Sequence, residues 1–339
     1  MNNEQRQPLP PPTRRRSKRF APFAILALFL ALAAGAMLYG SPLVDMVKSR
    51  FYTPDSHVSS ITQRITLSPR GEQIFYATFP AIQDQQQFNA SCHSTERTTA
   101  ILGCYYLDRI YLYNIQNSEL DGTLEVTAAH EMLHAAYARL NMFERQRIDQ
   151  LVEQEYAKIK DQPKMKQIMA YYAKAEPGAE KDELHSIIGT TIGDLPDALE
   201  QHYAQYFTDR SSVVALNAKY NEVFSSLSQR ADQLSNELKA EETVIKEQLA
   251  RYDADLQQLN YDIQSFNQRA TNGDFTSQAD FSSSRSTLVV RVNELNIRRD
   301  EINARVDAYN EKVAELNKLA VKANELNQSL NGVAAPEAL

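Results

Sequence analysis

Ala128-Ala129-His130-Glu131-Met132-Leu133-His134-Ala135-Ala136 sets a His-Glu-x-x-His pair in an otherwise apolar run. At about 3.6 residues per turn, His130 and His134 lie one turn apart on the same helix face, where both imidazoles can bind one zinc ion. Glu131 is displaced around that helix, so its carboxylate can reach a metal-bound water without occupying a ligand position. Sites of this kind need a third protein ligand and an open position for water, whose pKa the metal lowers to about 7. The pattern predicts metal-assisted hydrolysis. Its uncharged flanks suit a helix packed inside a domain with only the metal face open.

Upstream, residues 1–19 form a basic, Pro-rich tail expected to be cytoplasmic, with Arg14, Arg15, Arg16, Lys18 and Arg19 at its end. Such a composition cannot build a core. From Phe20 to Val44 there is no charged residue, and this run exceeds the roughly 20 residues that span a bilayer as a helix. The basic residues before it put the N-terminus in the cytoplasm by the positive-inside rule. The expectation is a single-pass protein of the cell membrane, anchored by residues 20–44, with its catalytic part extracytoplasmic. A removable signal ending at Ala34-Gly35-Ala36 is the competing reading, and both export the rest.

The chain carries a net charge of -7, and its tail holds Arg6, Arg14, Arg15, Arg16, Lys18 and Arg19 against Glu4 alone, so the exported part is more acidic still. Nucleic-acid binding needs clustered Lys and Arg and is excluded. Cys92 and Cys104 are the two cysteines; in an oxidising compartment they read as one disulfide closing a short loop, worth about 3 kcal/mol in the chain-entropy model.

Between the anchor and the motif, Ile61 to Leu67 and Ile74 to Phe79 have strand-like composition around a Ser68-Pro69-Arg70-Gly71 turn. Arg109 to Ile115 alternates like a strand, and its free edge is a candidate dock for an extended peptide. Asp121 or Thr123 can cap the motif helix. Helices are expected at 142–160, 164–174 and 179–190, separated by Gln162-Pro163 and Glu176-Pro177-Gly178.

On the last of these, Glu183-Leu184-His185-Ser186 follows the His130-Glu131-x-x-His134 motif in the order found in gluzincins, zinc peptidases with a third ligand Glu on a later helix. The sequence resembles that family, and over roughly residues 90–210 it resembles bacterial membrane-anchored zinc peptidases. The resemblance implies that His130, His134 and Glu183 hold one zinc ion and that Glu131 is the general base, with His185 the rival third ligand. The Asp that often orients a ligand His in gluzincins is missing, because position 187 is Ile; Asp182 or Asp194 can supply it. Gluzincins often use a late His or Tyr to stabilise the oxyanion, which makes His202 and Tyr203 candidates. Metzincins are excluded, since Tyr137 and Leu140 stand where that family needs Gly and His.

From about residue 211 the composition turns to Leu, Asn, Gln, Glu and Lys. Leu249, Tyr252, Leu256, Leu259, Ile263 and Phe266 recur at alternating spacings of three and four, a heptad seam. A second seam runs through Leu288, Val292, Leu295, Ile302 and Val306, and the polar stretch from Thr271 to Ser284 between them reads as a turn. The expected fold is α+β and mainly helical: a zincin-like metallopeptidase domain with a small sheet at 45–210, a long antiparallel coiled-coil hairpin at 211–332, and a C-terminal tail at 333–339. Expected partners are a protein or peptide substrate and an envelope protein docked on the coiled coil; the alternative function is an envelope scaffold whose zinc site is structural or vestigial.

Overall fold

The computed structural model describes residues 42–92, 102–175 and 177–330; the basic tail, most of the expected anchor and the C-terminal tail lie outside the described residues. The chain is mainly helical with one small sheet. The single-pass membrane placement is corrected: among the described residues no helix is long and apolar enough to cross a membrane. The last residues of the expected span, Pro42, Leu43 and Val44, instead open a helix, α1 (residues 42–51), that carries Asp45, Lys48 and Arg50.

The two segments read as strands before the sheet are helices, α2 (Ser56–Arg64) and α3 (Pro69–Ala77). Their ends explain the difference. The Asp55 side chain accepts from Val58 N, and Ser68 accepts from Gly71 N with Pro69 in the first turn, so the expected turn is a helix start. Val58, Ile61 and Ile65 then fall on one buried face at helical spacing.

The sheet has three strands in the order β1 (Ala81–Gln83), β3 (Arg109–Tyr113), β2 (Gly103–Tyr106). β3 is therefore central, and the free edge expected of it is taken on both sides. α4 (Gln85–Ser91) follows β1, and Cys92 after it is bonded to Cys104 of β2. Beyond the sheet come the motif helix α5 (Thr123–Ala138), α6 (Met142–Ile159), α7 (Pro163–Ala175), α8 (Glu180–Thr191) and α9 (Asp197–Tyr203). Asn141 and Glu144 start α6 with a reciprocal capping box. Of the two residues proposed to cap α5, Thr123 has a buried hydroxyl without a partner among the described residues, and Asp121 accepts from Lys219 Nζ at 2.9 Å.

The chain divides into two compact units that interleave in sequence. Of the described residues, the first gathers 42–81, Tyr105–Ile110 and Ala129–Arg210. Its core includes Ile61, Ile74, Phe75, Met132, Leu133, Ile148, Val152, Ile188, Leu199 and Phe207. Arg139, just past α5, ties three segments of this unit: it donates to Asp45 Oδ1 and Asp108 Oδ1, both at 2.9 Å, and to Tyr105 Oη at 3.3 Å.

The second unit holds the described residues of 82–104, Tyr111–Ala128 and 211–330. Two long helices dominate it, α10 (Ser211–Asn272) and α11 (Gln278–Leu330). Charged pairs link them in opposite chain directions: Arg230–Glu315 at 2.7 Å, Glu237–Lys312 at 2.9 Å, Glu241–Arg305 at 2.8 Å, then Asp255–Arg298 and Asp262–Arg291. Arg230 and Glu241 of α10 thus pair with Glu315 and Arg305 of α11. Leu234, Leu238, Leu259, Leu295 and Ile302 are buried, whereas Leu249 and Val292, counted into the seams, are largely exposed. The connection is shorter than expected. Gly273 takes φ +75, a left-handed conformation that glycine adopts without strain, and Phe266, Phe275 and Phe281 cluster with centroids 5.1–5.2 Å apart.

Candidate metal centre

α5 and α8 bring the chemistry together. His130 and His134 project from one face of α5, and Glu183 enters from the first turn of α8. His134 Nε2 lies 3.1 Å from His130 Nε2 and 3.3 Å from Glu183 Oε2, and His130 Nε2 lies 3.4 Å from Glu183 Oε1. Donors held at 2.0–2.1 Å by a tetrahedral zinc stand about 3.3 Å from one another. The three side chains therefore fit a zinc ion by spacing as well as by donor type; they are the one such group found among the described residues.

α8 can approach α5 this closely because of Gly189. A Cβ there would meet Leu133 Cδ1 at 2.5 Å and Tyr203 Cε1 at 2.7 Å. At the far end of α8, Arg210 donates to the carbonyls of Gly189, Ile192 and Gly193 at 3.2, 2.6 and 2.8 Å and is paired with Glu200, occupying acceptors that the helix terminus leaves open.

Asp182, beside Glu183, is the acid that faces His134. Its Oδ1 lies 2.8 Å from His134 Nδ1. An ionised carboxylate only accepts, so Nδ1 carries the proton and Nε2 faces the other two donors. Asp194, the other candidate, is exposed. Burial opposes charge on His134, but the hydrogen bonds and charges of Asp182 and Glu183 outweigh it and raise its pKa well above the ordinary value. Burial would raise Glu183 too, yet the two histidines hold it far below the usual carboxylate range. Glu131 is buried, and desolvation lifts its pKa against the pull of His134 and His130.

The remaining candidates lie elsewhere. His185, the rival ligand, is fully buried and meets His202 Nε2 to Nε2 at 2.8 Å. Tyr203 is also fully buried and donates to His185 O at 2.7 Å. His185, His202 and Tyr203 thus form a packed aromatic cluster with Tyr137 and Tyr206, apart from the three converging donors. The residue missed in the sequence is Tyr172 of α7, whose hydroxyl hydrogen-bonds Glu183; burial and the charges of Glu183 and Glu131 push its pKa far up, so it stays a donor. No spacing rule links position 172 to the motif; only the packing of α7 on α8 does.

Compared with protein-family models, curated proteins and solved structures, the chain matches none.

Proposed function

We propose that this protein is a zinc-dependent peptidase, with a zincin-like catalytic domain at 45–210 and a coiled-coil hairpin at 211–332. The observation that carries the reading is the spacing of His130, His134 and Glu183, with a buried Glu131 on the same helix as the two histidines. Those three residues would hold the ion. When bound, zinc supplies Lewis acidity toward a carbonyl oxygen and lowers the pKa of water.

The chain's own groups do the rest. Asp182 fixes the His134 tautomer through Nδ1. Glu131, its proton affinity raised by desolvation, takes a proton from the attacking water and returns it to the leaving amine. Tyr172 stays protonated and holds Glu183 in orientation through its hydroxyl.

The test is Glu131→Gln in the full chain. It keeps about one zinc per chain and loses hydrolysis of a casein substrate by roughly 1,000-fold, the scale of a general base. Near-parental hydrolysis in this variant would remove Glu131 from that role.

A further inference from the structure

The second unit carries an open pocket of about 620 Å³, within the roughly 300–1,000 Å³ range of small-molecule sites. Its walls come from the end of β3, the segment that follows it, the start of α4 and one residue of α11. What lines it narrows the ligand by chemistry.

Among the described residues no Lys, Arg or His lines this space, so an anionic ligand finds no counter-charge there. Among the described residues Asp84 is the one carboxylate lining it, and its Oδ1 already accepts from Gln87 N at 2.9 Å, so a hard cation would meet a single, already engaged negative charge. Tyr113 is the one aromatic wall among the described residues, which offer no set of apolar subsites for peptide side chains or a lipid chain. A neutral, polyhydroxylated ligand with one C–H face remains.

The polar groups are of two kinds, fixed and free. Asn117 is fixed: its Oδ1 accepts from Glu119 N at 3.0 Å and its Nδ2 donates to Ser329 Oγ at 3.1 Å, leaving one N–H. Ser329 in turn donates to Glu325 O at 2.9 Å. The side-chain amides of Asn114 and Gln116 make no hydrogen bond among the described residues, yet the backbone of Asn114 is held by Gln83 O at 2.9 Å. Tyr113 is steadied by Phe88, ring centroids 6.0 Å apart. Carboxamides that present a donor and an acceptor side by side on a fixed backbone match an amide or a vicinal diol, at little ordering cost.

We infer that this pocket is a saccharide-binding site, and that its discriminating ligand group is the acetamido substituent of an N-acetylhexosamine. The ring stands with its C–H face against Tyr113, while Asn114 and Gln116 bracket the acetamido N–H and C=O.

The experiment is titration calorimetry of the zinc-loaded full chain with tri-N-acetylchitotriose, and with cellotriose as the sugar lacking acetamido groups. Asn114→Ala/Gln116→Ala removes only side chains that hold no internal bond, and circular dichroism and zinc content confirm that it is folded. The expected result is saturable binding of tri-N-acetylchitotriose, at least 10-fold weaker cellotriose binding, and at least a 10-fold loss in the double variant. Absence of binding by the parent chain, equal binding of cellotriose, or undiminished binding by the folded double variant would each overturn the assignment. The readout does not depend on peptidase activity.

Discussion

Two histidine pairs border α8, and they are opposites. His130 and His134 are partly exposed and face Glu183, with Asp182 on the second ring of the pair. His185 and His202 are buried and face each other at 2.8 Å with no carboxylate between them. The same imidazole is pushed in opposite directions: carboxylates raise His134, whereas burial, with Arg147 adding, lowers His202 to about 4. One pair sits among carboxylates that favour positive charge, a proton or a metal ion, at the rings; the other excludes charge and packs. A histidine's role thus follows from its acidic neighbours, not from its presence in a motif-rich stretch.

The sharpest way to break that contrast is to remove the acid. Glu183→Ala takes away the carboxylate and leaves two imidazoles, and zinc measured by atomic absorption should fall from about one per chain to near none. Full retention of zinc would assign the third ligand elsewhere. Since Glu183 is buried against two histidines, the variant is to be compared by circular dichroism with the parent before metal is counted.

A smaller effect is expected from Asp182→Asn, which keeps a partner on His134 Nδ1 but removes the charge. Loss of the orienting carboxylate should weaken zinc affinity by about 10–100-fold in competition with a chelator, with the fold intact. No change would mean that Asp182 serves the helix start rather than the ligand.

The buried pair should reveal itself in acid. In the unfolded chain a histidine takes its proton near 6.5, but folded His202 resists until about 4. The unfolded state therefore binds more protons in between, and this contribution to stability is complete above about pH 6.5 and is lost as pH falls toward 4. For His202 alone the loss is at most about 3 kcal/mol. His202→Phe should flatten urea-denaturation midpoints across that window relative to the parent. An unchanged slope would show that the pair is not what titrates.

Much of this site is legible in the sequence. A period of 3.6 places His130 and His134 on one face whatever surrounds them, and Glu183 carries a carboxylate in the order the resemblance demands. The choice between Asp182 and Asp194 is not legible there, because it depends on where the first turn of α8 lands against α5. The role of Tyr172 is hidden for the same cause: it depends on how α7 packs on α8. α2 and α3 mislead for another reason. Their β-branched and aromatic residues favour strands, but Asp55 and Ser68 supply helix starts, and burial of Val58, Ile61 and Ile65 on one face outweighs a propensity that is weak to begin with.

By itself the sequence determined what is local: the helical face of the motif, the pair of cysteines twelve residues apart, and two long helical stretches split by a glycine-containing turn. Tertiary structure decided the relations between distant segments. It made β3 the central strand, sent His185 to His202 instead of to the donor cluster, and drew Glu183 to within 3.4 Å of both histidines. Periodicity and capping act over one or two turns, so the chain states them directly. Which side chain faces which across a core depends on close approaches such as that at Gly189, and these exist only once the helices have packed.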